Sequence, residues 1–148
     1  MLLKFNHIWQ VDIHQLLQLY AESLMKDYSG DEDAFLEDLR VYFSEADTIL
    51  AVWEENGQYL SSLRFEPYED GFLISCLETN SQVRRQGYAS RLVNELLSDV
   101  CRPVYVHVEK KNRASLGFHE KLGFRVFKDL AVYVDGSVYH SSCTMKKN

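Results

Sequence analysis

The sequence has few of the features that announce a special class of protein. It has no CxxC pair. Its three cysteines, Cys76, Cys101 and Cys143, are odd in number and widely spaced. That pattern argues against a disulfide framework or a zinc site and for reduced thiols in the cytoplasm. No apolar run approaches the roughly 20 residues of a membrane-spanning helix. The first residues, MLLKFNHIWQ, lack the basic start, apolar stretch and small-residue cleavage site of a secretory signal. There is no internal repeat, low-complexity tract or linker-like Pro/Gly/Ser stretch, so a single domain over 1–148 is expected. Positive charge is also short: the net charge is −6, which argues against a nucleic-acid or anionic-membrane partner.

The composition itself is ordinary. With 148 residues, 46% hydrophobic and 26% charged, the chain is large enough for one sizeable core. Charge is unevenly distributed. From Asp27 to Asp47 eight carboxylates stand against one cation, Arg40. Such a run reads either as a solvated helix face or as an acidic lip that attracts a cationic substrate. Basic residues gather later, at Arg84, Arg85 and Arg91 and from Lys110 to Lys128, where an anionic ligand would go.

Hydrophobic periodicity orders the chain. Ile13, Leu16, Leu17, Tyr20 and Leu24 predict a first helix within 11–24. Asp31 is a candidate cap for a second helix, with Phe35, Leu39, Tyr42 and Phe43 facing inward. Strands are expected at 48–54 and 58–66 around the turn-forming Asn56-Gly57, the second ended by Pro67. A third, apolar on both faces, covers 71–79. An amphipathic helix over 88–100 precedes the strand 104–108, in which Val104, Val106 and Val108 face one way and Tyr105 and His107 the other. A short helix at 113–122 is broken by Gly123. Strands over 125–134 and 137–145 close the chain as a hairpin around Asp135-Gly136. Hairpins mixed with crossover helices indicate an α/β layer fold on a mixed sheet.

The most informative segment is Val83-Arg-Arg-Gln-Gly-Tyr-Ala89, which follows a strand and opens a helix. Backbone N–H groups there lack intrahelical partners and sit at the positive end of the helix dipole, an arrangement suited to a diphosphate. Gly87 allows close approach of the backbone, and Arg84 and Arg85 can add charge-assisted contacts. No G-x-G-x-x-G follows a strand and no Walker lysine is present, so other nucleotide folds are disfavoured. After the next strand comes Asn112-Arg-Ala-Ser-Leu-Gly-Phe-His-Glu-Lys-Leu-Gly-Phe124.

Together these two segments resemble the GNAT family of CoA-dependent N-acetyltransferases, whose members carry a Gln/Arg-x-x-Gly-x-Gly/Ala loop, then an Asn, an aromatic-rich helix and a Leu-Gly-Phe ending. The resemblance is strongest over Phe72–Phe124. It implies a mixed, mostly antiparallel sheet of six to seven strands flanked by about four helices. A splayed acetyl-CoA cleft would lie between the strands 72–79 and 104–108. It implies that backbone groups of Leu77, Glu78 and Thr79 hold the pantetheine and polarise the thioester carbonyl. The amides of Arg84, Arg85, Gln86, Gly87, Tyr88, Ala89 and Ser90 would hold the pyrophosphate, with Asn112, Ser115 and Phe118 near the sulfur. No metal is implied.

The chemistry to be assisted is amine acetylation. An amine of pKa ~10.4 is neutral in about one molecule in 2500 at pH 7, a penalty of about 4.6 kcal/mol. The leaving sulfur benefits from a proton donor, and family members that use a general acid commonly carry Tyr seven residues after the Asn. Here that position is His119. Two readings stand: an imidazolium acid supported by Glu120 or Glu78, or a residue that packs near the sulfur while the thiolate leaves unassisted. Candidate bases are His107 and Glu78, followed by Glu109, with water or backbone carbonyls as the alternative. The expected acceptor is a primary amine of a small, cationic molecule or of a peptide, with the protein a monomer or homodimer. The alternative is a non-catalytic acyl-CoA-binding regulatory module, which the missing Tyr at 119 favours.

Overall fold

A computed structural model describes all 148 residues, Met1–Asn148. The chain forms nine strands and five α-helices. Seven strands join in one mostly antiparallel sheet, and the other two form a small ribbon. The residues group into two compact units, Met1–Phe65 with Cys76–Ser98, and Glu66–Ser75 with Asp99–Asn148.

In the first unit, β1 (Leu2–Phe5) pairs antiparallel with β2 (Ile49–Glu55), and the Met1 ammonium donates to the Glu54 carbonyl at 2.8 Å. This strand is absent from the sequence reading, because four residues of LLKF are too short to show a period. The next segment holds two helices rather than one: α1 (Ile13–Leu19) and α2 (Ala21–Tyr28) break at Tyr20, whose φ of −90° and ψ of 17° leave the helical region. The Tyr20 hydroxyl donates to the Cys76 carbonyl at 2.7 Å, a tertiary bond no local propensity encodes.

Helix α3 (Glu32–Ser44) starts where expected, with the Asp31 carboxylate accepting from Ala34 N at 3.0 Å. Phe35, Leu39 and Tyr42 are buried, with Leu16, Leu19, Leu50 and Val52 around them. β2 turns into β3 (Gln58–Tyr68) through Asn56 and Gly57, both at positive φ (53° and 79°), the type I′ turn their sequence predicts. Pro67 does not end β3, which runs one residue past it. Pro67 is exposed, where a missing N–H leaves no buried acceptor unmet. Helix α4 (Tyr88–Leu97) stops three residues short of the expected end and packs Leu92, Val93 and Leu96 inward.

In the second unit the start of β4 (Gly71–Thr79) pairs parallel with β5 (Val104–Glu109) over three residues only, Phe72–Ile74 against Val104–Val106. β5 pairs along its whole length with β9 (Ser142–Lys147), which also pairs with β6 (Arg125–Lys128). The expected hairpin over 125–145 is therefore divided. Its tip is a separate ribbon of β7 (Ala131–Val132) and β8 (Val138–Tyr139) around Asp135-Gly136, and the outer segments belong to the main sheet. Helix α5 (Arg113–Lys121) is capped by the Asn112 side chain, which accepts from Ser115 N at 3.0 Å. It ends at Gly123 (φ 99°), with Phe124 fully buried beneath.

Candidate active site

The Arg84–Ser90 segment has the conformation an anion cradle requires. Arg85 and Gly87 both sit at positive φ (65° and 84°), and Gly87 is the N-cap residue of α4. A Cβ added at Gly87 would meet nothing within 4 Å, so open space borders the backbone. The first helical bond is Arg91 N to Gly87 O at 3.0 Å, which leaves the N–H groups of Tyr88, Ala89 and Ser90 without an intrahelical acceptor. A diphosphate fits this arrangement. Gln86 lies between the two positive-φ residues. The Arg84 guanidinium, by contrast, is engaged inside the protein. It reaches Glu22 at 2.9 Å, Glu78 at 3.4 Å and the Thr79 carbonyl at 3.3 Å. Of the two arginines, Arg85 is the one left for an incoming phosphate.

Leu77, Glu78 and Thr79 are half-buried at the end of β4. Just before them Cys76 has φ 53°, which interrupts the strand's alternation. Ser61 ties down this end, donating to the Glu78 carbonyl at 3.0 Å and meeting Thr79 Oγ1 at 3.1 Å. The Glu78 carboxylate accepts from the Ser23 hydroxyl and from Arg84.

Beside this segment the first unit encloses a cavity of about 230 Å³. Tyr20, Phe35 and Leu50 form its buried floor, and Ser23, Asp27, Arg64 and Glu78 its more exposed side. Burial keeps the Tyr20 phenol well above the usual range. Burial and the Asp38 carboxylate push Tyr28 up to about 12, so both remain protonated donors. In the acidic run 27–47, Asp31 caps α3, Asp38 accepts from Tyr28 at 2.7 Å, Glu37 pairs with Arg40 at 3.3 Å and Asp27 lines the cavity, while Glu32, Asp33, Glu45 and Asp47 are exposed.

The second unit holds a wider cavity, about 680 Å³, whose lining includes His107, Glu109, Asn112, Ser115, Tyr133 and Tyr139. His107 Nε2 lies 3.4 Å from the Tyr68 hydroxyl oxygen, and that hydroxyl gives its proton to the Val132 carbonyl. Nε2 therefore carries the ring proton and Nδ1 holds a free lone pair. Burial lowers the pKa of His107, so the ring is neutral at pH 7. Tyr133 stands against His107 at 4.7 Å between ring centroids and Tyr139 against Tyr133 at 4.9 Å. Tyr68, Tyr133, Tyr20 and Arg64 belong to no motif and were not legible as site residues.

His119 is buried, 4% exposed. Its Nδ1 donates to the Ser115 carbonyl at 2.8 Å, its ring meets Phe118 and Phe124 edge-on, and its Nε2 has no partner. Glu120, the sequence neighbour considered as its support, is exposed. Burial lowers the pKa of His119. The supported imidazolium finds no partner here: burial favours the uncharged ring, and Nε2 is left without a hydrogen bond.

A stability consequence follows. The unfolded ring binds a proton near pH 6.5 and the folded one only below that. Stability is thus fully present above about 6.5 and falls as pH drops toward the folded pKa, by up to about 1.4 kcal/mol per pH unit. His119→Phe fills the same space without an unpartnered nitrogen. Urea midpoints at pH 7.5 and 5.5 should lie closer together for this variant than for the parent; equal pH slopes would refute a buried neutral His119.

No group of three or more His, Cys, Asp or Glu side chains converges to hold a metal, and no helix is long and apolar enough to cross a membrane. The sequence model of the Acetyltransferase (GNAT) family matches residues 13–124. No curated protein matches the chain. Solved structures with a similar fold include an aminoglycoside 6'-acetyltransferase type Ii, at 20% identity and TM-score 0.76, covering 100% of this chain and 96% of that one. An aminoglycoside 6'-N-acetyltransferase complexed with coenzyme A is 15% identical with TM-score 0.71, over 99% and 96% of the two chains. A paia N-acetyltransferase from Thermoplasma acidophilum, in complex with coenzyme A, is 14% identical with TM-score 0.68, over 100% and 99%.

Proposed function

We propose, from the premise that this chain belongs to the acetyltransferase (GNAT) family, that it transfers the acetyl group of acetyl-CoA to a primary amine. The acceptor is a small molecule that arrives as an ammonium cation, or a peptide. Residues 1–148 work as a single N-acetyltransferase domain in the cytoplasm, as a monomer or homodimer. The observation that carries this reading is the N-terminus of α4, where Gly87 borders open space and three N–H groups await an acceptor.

Acetyl-CoA supplies the acyl group as a thioester. The amides of Arg84–Ser90, with the Arg85 side chain, hold its pyrophosphate. Backbone groups of Leu77, Glu78 and Thr79 hold the pantetheine and stabilise the negative charge that develops on the carbonyl oxygen. The Ser61 bonds to Glu78 and Thr79 fix that segment in advance. Asn112, Ser115 and Phe118 border the thiol end. His107 Nδ1, with its lone pair free, accepts the proton that the nitrogen loses as the amide forms. Glu78 holds the ammonium before it is deprotonated. His119, neutral and without a proton on Nε2, contributes shape and dryness rather than a proton, and CoA departs as the thiolate.

Loss of thioester absorbance on mixing acetyl-CoA with a panel of primary amines, together with the mass of the acetylated product, tests the reading. CoA binding without turnover on any amine would favour a non-catalytic acyl-CoA-binding regulatory module, the reading to which a buried neutral His119 in place of Tyr lends support. For the base, His107→Ala is expected to lower kcat about 100-fold and to remove the acid-side limb of the pH–rate profile. Because burial lowers the His107 pKa, the parent should keep activity somewhat below pH 6.5. Coincident profiles would take His107 out of the mechanism.

A further inference from the structure

The cavity of the first unit contains a cation that no side chain pairs directly. Arg64 lines it, is half-buried and makes no ion pair; its guanidinium lies 4.8 Å over the Tyr42 ring. A buried or half-buried charge is costly unless paired, and a guanidinium fork matches a carboxylate in a bidentate fashion. The same small cavity carries the opposite charge. Asp27 lines it and also makes no ion pair, and Glu78, tied to Ser23 and Arg84, lines it as well. The floor, with Tyr20 and Phe35 buried and the Tyr20 hydroxyl already bonded to Cys76, offers an apolar aromatic surface.

Charge narrows the occupant further. A polyamine would bring a second ammonium toward Arg64.

We propose that the acceptor is a free α-amino acid with an apolar or aromatic side chain. Its ammonium faces Glu78 and Asp27, its carboxylate takes Arg64, and its side chain lies on the Tyr20–Phe35 floor. This rests on the acetyl-transfer reading above and names its substrate class. In the transfer the amino nitrogen forms a bond to the acetyl carbon while the carbon–sulfur bond breaks. The sulfur leaves with the bonding pair as thiolate, and one proton leaves the nitrogen, giving an N-acetylamino acid and CoA.

The test compares acetylation of L-phenylalanine, L-leucine, phenethylamine, phenylalanine amide, spermidine and tobramycin by the full chain, with Arg64→Gln and Arg64→Lys beside the parent. L-Phenylalanine should exceed phenethylamine and phenylalanine amide at least about 10-fold in kcat/KM, the order expected when a charge-assisted hydrogen-bond pair is lost. Arg64→Gln should remove that preference by lowering phenylalanine turnover while leaving phenethylamine within about twofold. Arg64→Lys should restore part of it.

Faster turnover of spermidine or tobramycin than of either amino acid overturns the proposal and leaves acetyl transfer standing. So does an Arg64→Gln loss equal for phenylalanine and phenethylamine. If no amine turns over, the Tm of the CoA-bound protein decides. A rise with L-phenylalanine that Arg64→Gln abolishes supports the pocket assignment and sinks the transfer reading, and no rise sinks both.

Discussion

Replacing Gly71 with alanine is expected to destabilise the protein by about 3 kcal/mol or more, the upper range for forced overpacking. The added Cβ would stand 1.8 Å from the Pro103 carbonyl oxygen and 2.8 Å from its carbonyl carbon. Both are backbone atoms, so no side chain can swing aside. The collision falls where the parallel ladder of β4 and β5 begins, at the 3.0 Å bond from Phe72 N to Pro103 O. β5 cannot retreat easily, because all six of its residues are paired to β9. At about 2–4 °C per kcal/mol for a chain of this size, Tm should fall by roughly 6–12 °C or further. Gly117→Ala is the control: its Cβ meets nothing within 4 Å on helix α5, so it should gain up to about 1 kcal/mol from helix propensity. An unchanged urea midpoint for Gly71→Ala would mean that the two backbones do not approach as described.

Gly87→Asp is expected to weaken CoA binding at least about 100-fold, about 2.7 kcal/mol, with the fold intact. The new side chain has open space around it, and a carboxylate at a helix N-terminus interacts favourably with the dipole. Against this stands the strain of an L-residue at φ 84°, about 1–2 kcal/mol and smaller for Asp than for most residues. Folding stability should therefore change little. The carboxylate would, however, occupy the N–H groups proposed for the pyrophosphate and repel that dianion. A truncated donor without phosphates, S-acetylcysteamine, separates the effects: its turnover should be nearly the same in parent and variant. Equal loss with both donors would mean that Gly87 acts on the thioester end or on the fold.

Features carried by local chemistry were legible in the sequence. Asn56-Gly57 turns a hairpin because two consecutive residues tolerate positive φ, and Asp31 starts α3 because its carboxylate reaches an orphan N–H. The Gly87 loop is legible for the same reason. What escaped depends on contacts far apart in the chain. The first helix breaks at Tyr20, whose hydroxyl is bound 56 residues away at Cys76, and β1 exists only because β2 offers it an edge. The last hairpin divides because β9 lies between β5 and β6. At the site, the identity of His119 was readable but its protonation was not, since burial against Phe118 and Phe124 sets it. The acidic run was ambiguous from charge alone, and the individual partners of Asp31, Glu37 and Asp38 emerge only in the fold.

The bend at Cys76 has a practical side for enzymology. Cys76 and Cys101 are free and exposed, whereas Cys143 is buried, and Cys76 lines the cavity whose floor holds Tyr20 and Phe35. A chromogenic disulfide used to count released CoA will therefore first titrate two protein thiols. In doing so it hangs a bulky aromatic adduct on the wall of that cavity, the acceptor pocket proposed above, and a working enzyme assayed this way would look inert. Following the thioester's own absorbance avoids that artefact. In a Cys101→Ser background, the remaining accessible thiol becomes a reporter, its labelling rate falling as the pocket fills.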